Sequence, residues 1–157
     1  MRLNNILERG FSAIEILIVL VIVTILALII SNKYSSFRES QSLSNTVEEV
    51  IALIDEAHSR TLAGDNATTY SVRLETSKAV LFAGTTYTSG ASTNKTINID
   101  SVVNLASISL NGGGQEIKFD AITGDTSQYG TFVVKLASST TGQKTVTVSK
   151  TGFVSSN

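Results

Sequence analysis

One uninterrupted apolar stretch constrains this chain more than any other feature of its sequence. From Ile16 to Ile30 there is no charged residue, no glycine and no proline, and only Thr24 interrupts the aliphatic side chains. About 20 mostly apolar residues span the hydrocarbon core of a bilayer as an α-helix, and Phe11 to Ile30 meets that length. The sequence therefore predicts that residues 11–31 form a helix that lies in lipid or packs against other apolar helices.

A single acid, Glu15, lies at the start of this stretch. On insertion scales an acid costs about 2.5–3.5 kcal/mol at the centre of a membrane helix, and less near the helix end, where Glu15 lies. An acid inside a membrane segment is commonly functional, so we expect a cationic partner for it. The alternative is a carboxylate near the interface that merely reaches water.

The residues around Glu15 match a motif known from one group of proteins. The segment Gly10–Leu17, with the sequence GFSAIEIL, resembles the prepilin cleavage motif of type IV pilins and type II secretion pseudopilins. Those families have a short polar leader that ends in glycine, then phenylalanine, then a glutamate at the fifth residue counted from the cut. The motif is specific because all of these residues must fall in register with the apolar stretch.

The resemblance implies that residues 1–10 are a leader and that a membrane prepilin peptidase cuts between Gly10 and Phe11 and methylates the new Phe11 amino group. It also implies that Glu15 meets the Phe11 amine of a neighbouring subunit in a helical fibre, where a cation would neutralise an acid held at low dielectric. An ordinary signal peptide cut after the apolar stretch is the alternative, but no clean small-x-small site follows Ile30 before Tyr34.

The flanking charges do not determine the orientation of the predicted membrane helix. Arg2 and Arg9 precede it and Lys33 and Arg38 follow it, so the two counts nearly balance. The resemblance implies a single-pass protein of the bacterial inner membrane with a cytoplasmic leader and a periplasmic C-terminal domain. The partners that it implies are other pilin or pseudopilin subunits, the prepilin peptidase, the inner-membrane assembly platform and membrane lipid.

The helical pattern continues beyond the predicted membrane segment. Residues 32–63 contain no glycine or proline, and apolar or small side chains recur at spacings of three and four residues. This stripe consists of Leu43, Val47, Val50, Ile51, Ile54, Ala57, Thr61 and Leu62. Gly64 can end the helix with a left-handed cap. We therefore predict one helix over 11–63, whose second half packs on a domain. Many pilins carry a proline near the end of the apolar run and this chain has none, which leaves open whether the helix melts near Asn32.

Residues 64–157 change to a period of two, which predicts β-strands. The predicted strands are 70–75, 79–82, 96–99, 102–105, 107–110, 116–119, 131–136 and 145–149, with a last short piece at 153–154. Residues 84–95 are rich in Thr, Ser and Gly and are expected to form an exposed loop. No helix-length segment separates the strands, so antiparallel pairing is expected.

The expected fold class is therefore α+β, with a long N-terminal helix packed on a C-terminal antiparallel sheet or sandwich formed by residues 64–157. The order of the helix end at Ala57–Arg60, the strand Tyr70–Glu75, the segment Ile117–Asp120 and the final Thr151–Val154 is similar to that of GspH/FimT-type minor pseudopilins. In that family the sheet packs on the exposed half of the helix.

Few residues of this domain suggest chemistry of their own. His58 is the only histidine and there is no cysteine, so we expect a solvated or helix-end histidine rather than a zinc ligand. Asp120, Thr123 and Asp125 could offer oxygens to calcium, but their spacing is that of a plain turn. Gly112–Gly114 opens no helix, which excludes a phosphate-binding loop. The sequence shows no nucleophile–base arrangement, so it predicts neither an enzyme nor a cofactor or metal site.

Nucleic acid is a further partner to consider. Residues 64–157 contain seven Lys or Arg and six Asp or Glu, so no strongly basic surface is predicted. Lys135, Lys144 and Lys150 could still form a local DNA-contacting patch. The main hypothesis is a structural minor pilin or pseudopilin, processed by prepilin peptidase and assembled into a type II secretion pseudopilus or a type IV pilus. The alternative is a DNA-binding minor pilin that acts in DNA uptake.

Overall fold

The fold is described from a computed structural model of the chain. It describes residues 11–138 and 142–157, and the side chains of residues 29–35 are outside the description. The predicted leader, residues 1–10 with Gly10 at its end, therefore lies outside the described residues. The chain divides into two compact units, one up to Phe37 and the other from Arg38 to Asn157.

The first element, α1, runs over Ala13–Leu62, and its ends lie within two residues of those predicted from the sequence. No glycine or proline interrupts it. The helix ends before Gly64, which has a φ of +63°. Glycine adopts this left-handed conformation at little cost because it has no Cβ, and the Gly64 N–H donates to the carbonyl of Thr61. The predicted cap is thus confirmed.

In the first unit, the described part of α1 before residue 29 is exposed throughout. Over residues 11–28 and 36–138 and 142–157, whose side chains are described, no helix combines the length and the apolar character needed to cross a membrane. The predicted membrane segment, 11–31, includes residues 29–31, whose side chains lie outside the described set.

In the second unit, α1 buries a stripe of side chains in the core. The buried positions that the spacing predicted are Leu43, Val47, Val50, Ile54, Ala57 and Thr61. Leu53 and His58 are buried as well, whereas Leu62 is 46% exposed. The buried face is therefore wider than the predicted stripe and stops short of the last helical residue.

Among the described residues, eight β-strands follow α1 and form two four-stranded sheets in which every pair of strands is antiparallel. The strands are β1 (Tyr70–Glu75), β2 (Lys78–Ala83), β3 (Lys95–Asn98), β4 (Val103–Leu110), β5 (Glu116–Lys118), β6 (Gly130–Leu136), β7 (Gln143–Val148) and β8 (Val154–Ser156). The first sheet has the order β3-β2-β1-β5 and the second the order β4-β6-β7-β8. The expected α+β class with antiparallel sheets is confirmed.

The path of β4 differs from the prediction of two short strands, 102–105 and 107–110. The structure has one strand whose pairing with β6 shifts register between Ala106 and Ser109. Ser107, at the shift, has a φ of +48°, which is uncommon for a residue with a side chain. A β-bulge of this kind interrupts the alternation of the strand without ending it, which explains why the sequence pattern indicated a break.

The loop before β3 is largely exposed, as predicted, and its Tyr87 also covers part of the first sheet. Val80 and Phe82 of β2 are buried although they alternate with Ala79 and Leu81, which belong to the main core, so β2 is buried on both faces. The ring of Tyr87, in the loop, packs on Phe82 with 5.4 Å between the ring centroids. Such aromatic pairs prefer edge-to-face geometry, and the loop thereby removes the second face of β2 from water.

Candidate functional site

The described part of α1 before residue 29 has an apolar surface on every side. Its Ile, Leu and Val side chains are all exposed, from 50% at Val21 to 66% at Ile14. Exposed apolar surface is unfavourable in water by about 25 cal/mol per Å², and a helix that is apolar all round belongs in a membrane or among other helices. An exposed apolar surface of this kind is typical of segments that contact lipid or another protein.

The one hydroxyl within the apolar stretch is bonded inside the helix. The Thr24 Oγ1 donates to the carbonyl oxygen of Leu20 at 2.8 Å. A threonine bonded in this way exposes no unsatisfied donor, so it is compatible with apolar surroundings.

Glu15 lies in the first turn of α1. Its N–H donates to the carbonyl of Ser12 at 3.0 Å, and the N–H of Ile16 donates to the same oxygen at 3.2 Å. Among the described residues, none donates a hydrogen bond or forms an ion pair with the exposed Glu15 carboxylate. Phe11 precedes the helix and is 77% exposed. Glu15 therefore lies at the exposed start of α1, four residues after Phe11, the residue that the predicted cleavage would make N-terminal.

His58 is buried near the C-terminal end of α1, with 9% of its surface exposed. Its ring centroid lies 5.3 Å from that of Phe119 and 5.6 Å from that of Phe153. Within the described part of the chain its Nε2 atom has no hydrogen-bond partner. The expectation of a helix-end histidine is correct and the expectation of a solvated one is wrong, because aromatic residues far along the sequence enclose the ring.

Two glycines make room for His58. A Cβ on Gly124 would lie 2.5 Å from Nε2, and one on Gly152 would lie 2.6 Å from the carbonyl oxygen of Gly124 and 2.7 Å from Cδ2 of His58. Only residues without a side chain fit here, so the end of α1, the loop after β5 and the turn before β8 meet around one ring. No local sequence signal indicates this contact, since the spacing between the participants exceeds any helix or strand period.

The loop after β5 is a turn, as the sequence predicted. The Asp120 carboxylate accepts hydrogen bonds from the N–H groups of Ile122 and Thr123. These bonds favour the charged form and hold the pKa of Asp120 below its usual range. Over the described residues, no group of three or more acidic, histidine or cysteine side chains is arranged to hold a metal ion.

The three lysines considered for DNA contact do not share one surface. Val134 of β6 pairs with Lys144 of β7, and Lys135 therefore points to the opposite face of the sheet from Lys144. The Lys144 ammonium donates to the Ser44 hydroxyl of α1 at 3.3 Å, whereas Lys135 is exposed. Lys150 lies over the ring of Tyr129, 4.7 Å from its centroid. A continuous basic patch is not formed by these residues.

Known proteins resemble this chain over most of its length, although no family model matches it. Two curated relatives, both fimbrial proteins of Pseudomonas aeruginosa, are 28% identical to it over 140 residues, which cover 87% of this chain and 91% of the relative. The type IV minor pilin FimU of P. aeruginosa has a similar fold. One crystal form matches with a TM-score of 0.59 and 15% identity, covering 77% of this chain and 92% of FimU. A second crystal form gives a TM-score of 0.56 at 14% identity.

At this identity the likeness to FimU concerns the fold, an N-terminal helix packed on antiparallel sheets. The likeness to the fimbrial proteins is one of sequence and covers nearly their whole length. Taken together, these findings show that the chain is similar in sequence to fimbrial proteins and has the α+β pilin fold of the minor pilin FimU.

Proposed function

We propose that this chain is a structural minor subunit of a type IV pilus, made as a precursor with the leader 1–10 and held in the inner membrane by residues 11–31 until it joins the fibre. Its function is to assemble into the fibre: the apolar helix packs in the fibre core, and the folded domain forms part of the outer surface. The type IV pilus is preferred to a type II secretion pseudopilus because the relatives are named fimbrial proteins and FimU a type IV minor pilin.

The observation that carries this proposal is an apolar helical surface, exposed on every side, that carries one acid near its beginning. Lipid satisfies such a surface before assembly, and the helices of neighbouring subunits satisfy it afterwards. Without a partner, Glu15 opposes its own transfer into that environment. A neighbour's Phe11 amine, freed by cleavage after Gly10, supplies the cation.

The proposal also assigns different roles to the two polar side chains of this segment, Thr24 and Glu15. Because the Thr24 hydroxyl is bonded to Leu20, the carboxylate of Glu15 is the polar group that selects a specific neighbour. An ion pair formed at low dielectric sets register, since a shifted helix would leave both charges unpaired.

The mass and N-terminal residue of the mature protein, purified from its native membrane, test the proposal. We expect a chain that begins at Phe11 and carries one extra methyl group on its amine. A mature chain that begins at Met1, or that begins beyond Ile30, would contradict both the processing and the anchoring steps. Co-purification with sheared pili then tests the assembly step by itself.

A further inference from the structure

The turn after β4 contains the one Asn-Gly pair of the sequence, Asn111–Gly112. The Gly113 N–H closes the turn by donating to the carbonyl of Leu110 at 3.0 Å. Asparagine is chemically labile, because the peptide nitrogen of the next residue can attack its side-chain carboxamide. Glycine leaves that nitrogen unshielded because it has no Cβ. Both residues are exposed, and nothing lies within 4 Å of the position that a Cβ on Gly112 would take.

The peptide nitrogen of Gly112 is accessible for reaction. Among the described residues, no acceptor receives a hydrogen bond from its N–H. The corresponding N–H groups after three other asparagines are bonded to backbone carbonyls. These are Ala67 after Asn66, bonded to Gly64; Ile99 after Asn98, bonded to Ser77; and Leu105 after Asn104, bonded to Thr76, all at 2.9–3.0 Å. A bonded N–H is held in place together with its proton, so these three sites are protected in the folded chain.

The Asn111 carboxamide is held by one hydrogen bond. Its Nδ2 donates to the carbonyl oxygen of Ser127 at 2.9 Å, at the surface of the domain. An exposed bond of this kind exchanges with water at little net cost. Once the bond opens, the side chain can turn toward the nitrogen of Gly112. Gly113 and Gly114 follow with φ of +74° and +84°, and their backbone freedom lets the turn accommodate a cyclic imide.

We propose that Asn111 is a site of spontaneous deamidation in the folded chain, with water as the co-reactant. The Gly112 nitrogen gives its proton to the solvent and forms a bond to Cγ of Asn111. The bond from Cγ to Nδ2 then breaks, and the carboxamide nitrogen takes up a proton and leaves as ammonia. The product is a cyclic imide between the two residues. The inference does not rest on the proposed function, because it needs only this turn and water.

Water then opens the imide at either of its two carbonyl carbons. Attack at the side-chain carbon restores the main chain and leaves an aspartate. Attack at the main-chain carbon leaves an isoaspartate, in which the chain runs through the former side chain and gains a CH₂ group. In both cases one water is consumed, one ammonia is released and one carboxylate is gained. The presence of isoaspartate therefore identifies this route and distinguishes it from direct hydrolysis of the carboxamide.

The new carboxylate would lie at a polar pocket of about 480 Å³. Asn111 lines this pocket together with Asp120, Asp125 and Lys150. The reaction adds a negative charge beside two existing acids, and it replaces the N–H group that donates to the Ser127 carbonyl by an oxygen. Two acceptors then face each other, so the contact between the end of β4 and the segment before β6 weakens. Deamidation therefore changes both the charge and the rigidity of this surface as the chain ages.

Mass spectrometry of the aged full chain tests the proposal. The protein is incubated in detergent micelles at mildly alkaline pH and digested with trypsin in water labelled with heavy oxygen, which marks changes that occur during digestion. The tryptic peptide 96–118 contains Asn98, Asn104 and Asn111, so it carries two protected asparagines as internal references. We expect a mixture of aspartate and isoaspartate that grows with time at Asn111 alone. An intact Asn111 in the folded chain, under conditions that convert the urea-unfolded chain, overturns the proposal.

Two glycine variants separate the attack by Gly112 from a general effect on the turn. Gly112→Ala should convert at least about tenfold more slowly than wild type, because its methyl group shields the attacking nitrogen. Gly113→Ala is the matched control, since its φ is +74° against +80° and nothing lies within 4 Å of either new methyl group. The control keeps the Gly112 nitrogen unshielded and should convert at the wild-type rate. Equal rates in the two variants, or conversion without isoaspartate, overturn the proposal.

Discussion

The imidazole ring of His58 packs edge-to-face on the ring of Phe119, with 5.3 Å between the ring centroids. This contact joins the end of α1 to the end of β5, and Phe153 adds the turn before β8 from another side. One buried side chain thus holds together three segments that are distant in sequence. The close packing around His58 depends on Gly124 and Gly152, so adding a methyl group at either position tests it.

We expect Gly152→Ala to lower the free energy of unfolding by about 2–4 kcal/mol, because the new methyl group adds a steric clash with His58 to the cost of a left-handed alanine. The matched control is Gly90→Ala. Gly90 has a similar φ, +76° against +80°, but nothing lies within 4 Å of the position that its new methyl group would take. The control should lose only about 1–2 kcal/mol. Urea unfolding followed by circular dichroism measures both, and equal losses would show that the His58 junction has room to spare.

Acid should remove the contribution of Asp65 to stability. Hydrogen bonds from the Arg60 guanidinium and then the Tyr70 hydroxyl lower the pKa of Asp65 in the folded chain. The stabilisation is therefore present above the ordinary aspartate value of about 3.9 and disappears as the pH falls through the lower folded value. Asp65→Asn should lower the urea midpoint at pH 7, and this difference from wild type should shrink below pH 4. Asp55→Asn, at an exposed helix position, is the control. A difference that persists undiminished in acid would contradict the role of the carboxylate charge.

Gly10→Val should block removal of the leader, because a β-branched side chain would enter the position that the processing motif reserves for glycine. Full-length precursor should accumulate, visible as a mass that still includes residues 1–10. The control is Ser12→Ala, which changes the mature side of the site and should be cleaved normally. Efficient cleavage of the Gly10 variant would contradict the proposed processing.

Glu15→Gln and Glu15→Val should both insert into the membrane but enter pili at least about tenfold less than wild type, because each lacks the charge for the neighbour's amine. Thr24→Val is the matched control. It also makes the helix more apolar, yet it removes only a hydroxyl that bonds within the same helix. Subunit content of sheared pili, measured by quantitative mass spectrometry, separates the two. Wild-type incorporation of the glutamine variant would show that the charge is dispensable.

Local patterns predicted the helix and the fold class. The buried stripe from Leu43 to Thr61 follows from helical spacing alone. The end of α1 was predictable because glycine adopts the positive φ of a helix cap more readily than other residues, and Gly64 has that φ. The processing motif is local as well, so Phe11 and Glu15 were identifiable from the sequence, and their roles stay predictions.

Features that depend on pairing between distant segments were not predictable. The separation of β4 and β5 into different sheets is decided by which strands pair, and alternation does not encode the partner. The same holds for Lys135 and Lys144, whose opposite orientations follow only from the register of β6 with β7. His58 is buried by Phe119 and Phe153, and its own neighbours in the helix give no sign of them.

The cover that Tyr87 forms over Phe82 has a practical consequence for labelling fibres. Tyr87 anchors the beginning of its loop, and the Asn94 carboxamide donates to the Thr88 carbonyl and closes the rest of it. The stretch from Ser89 to Thr93 between these anchors is largely exposed. A short epitope inserted there, rather than before Tyr87, would keep Tyr87 packed over Phe82 and would leave the tag accessible to an antibody.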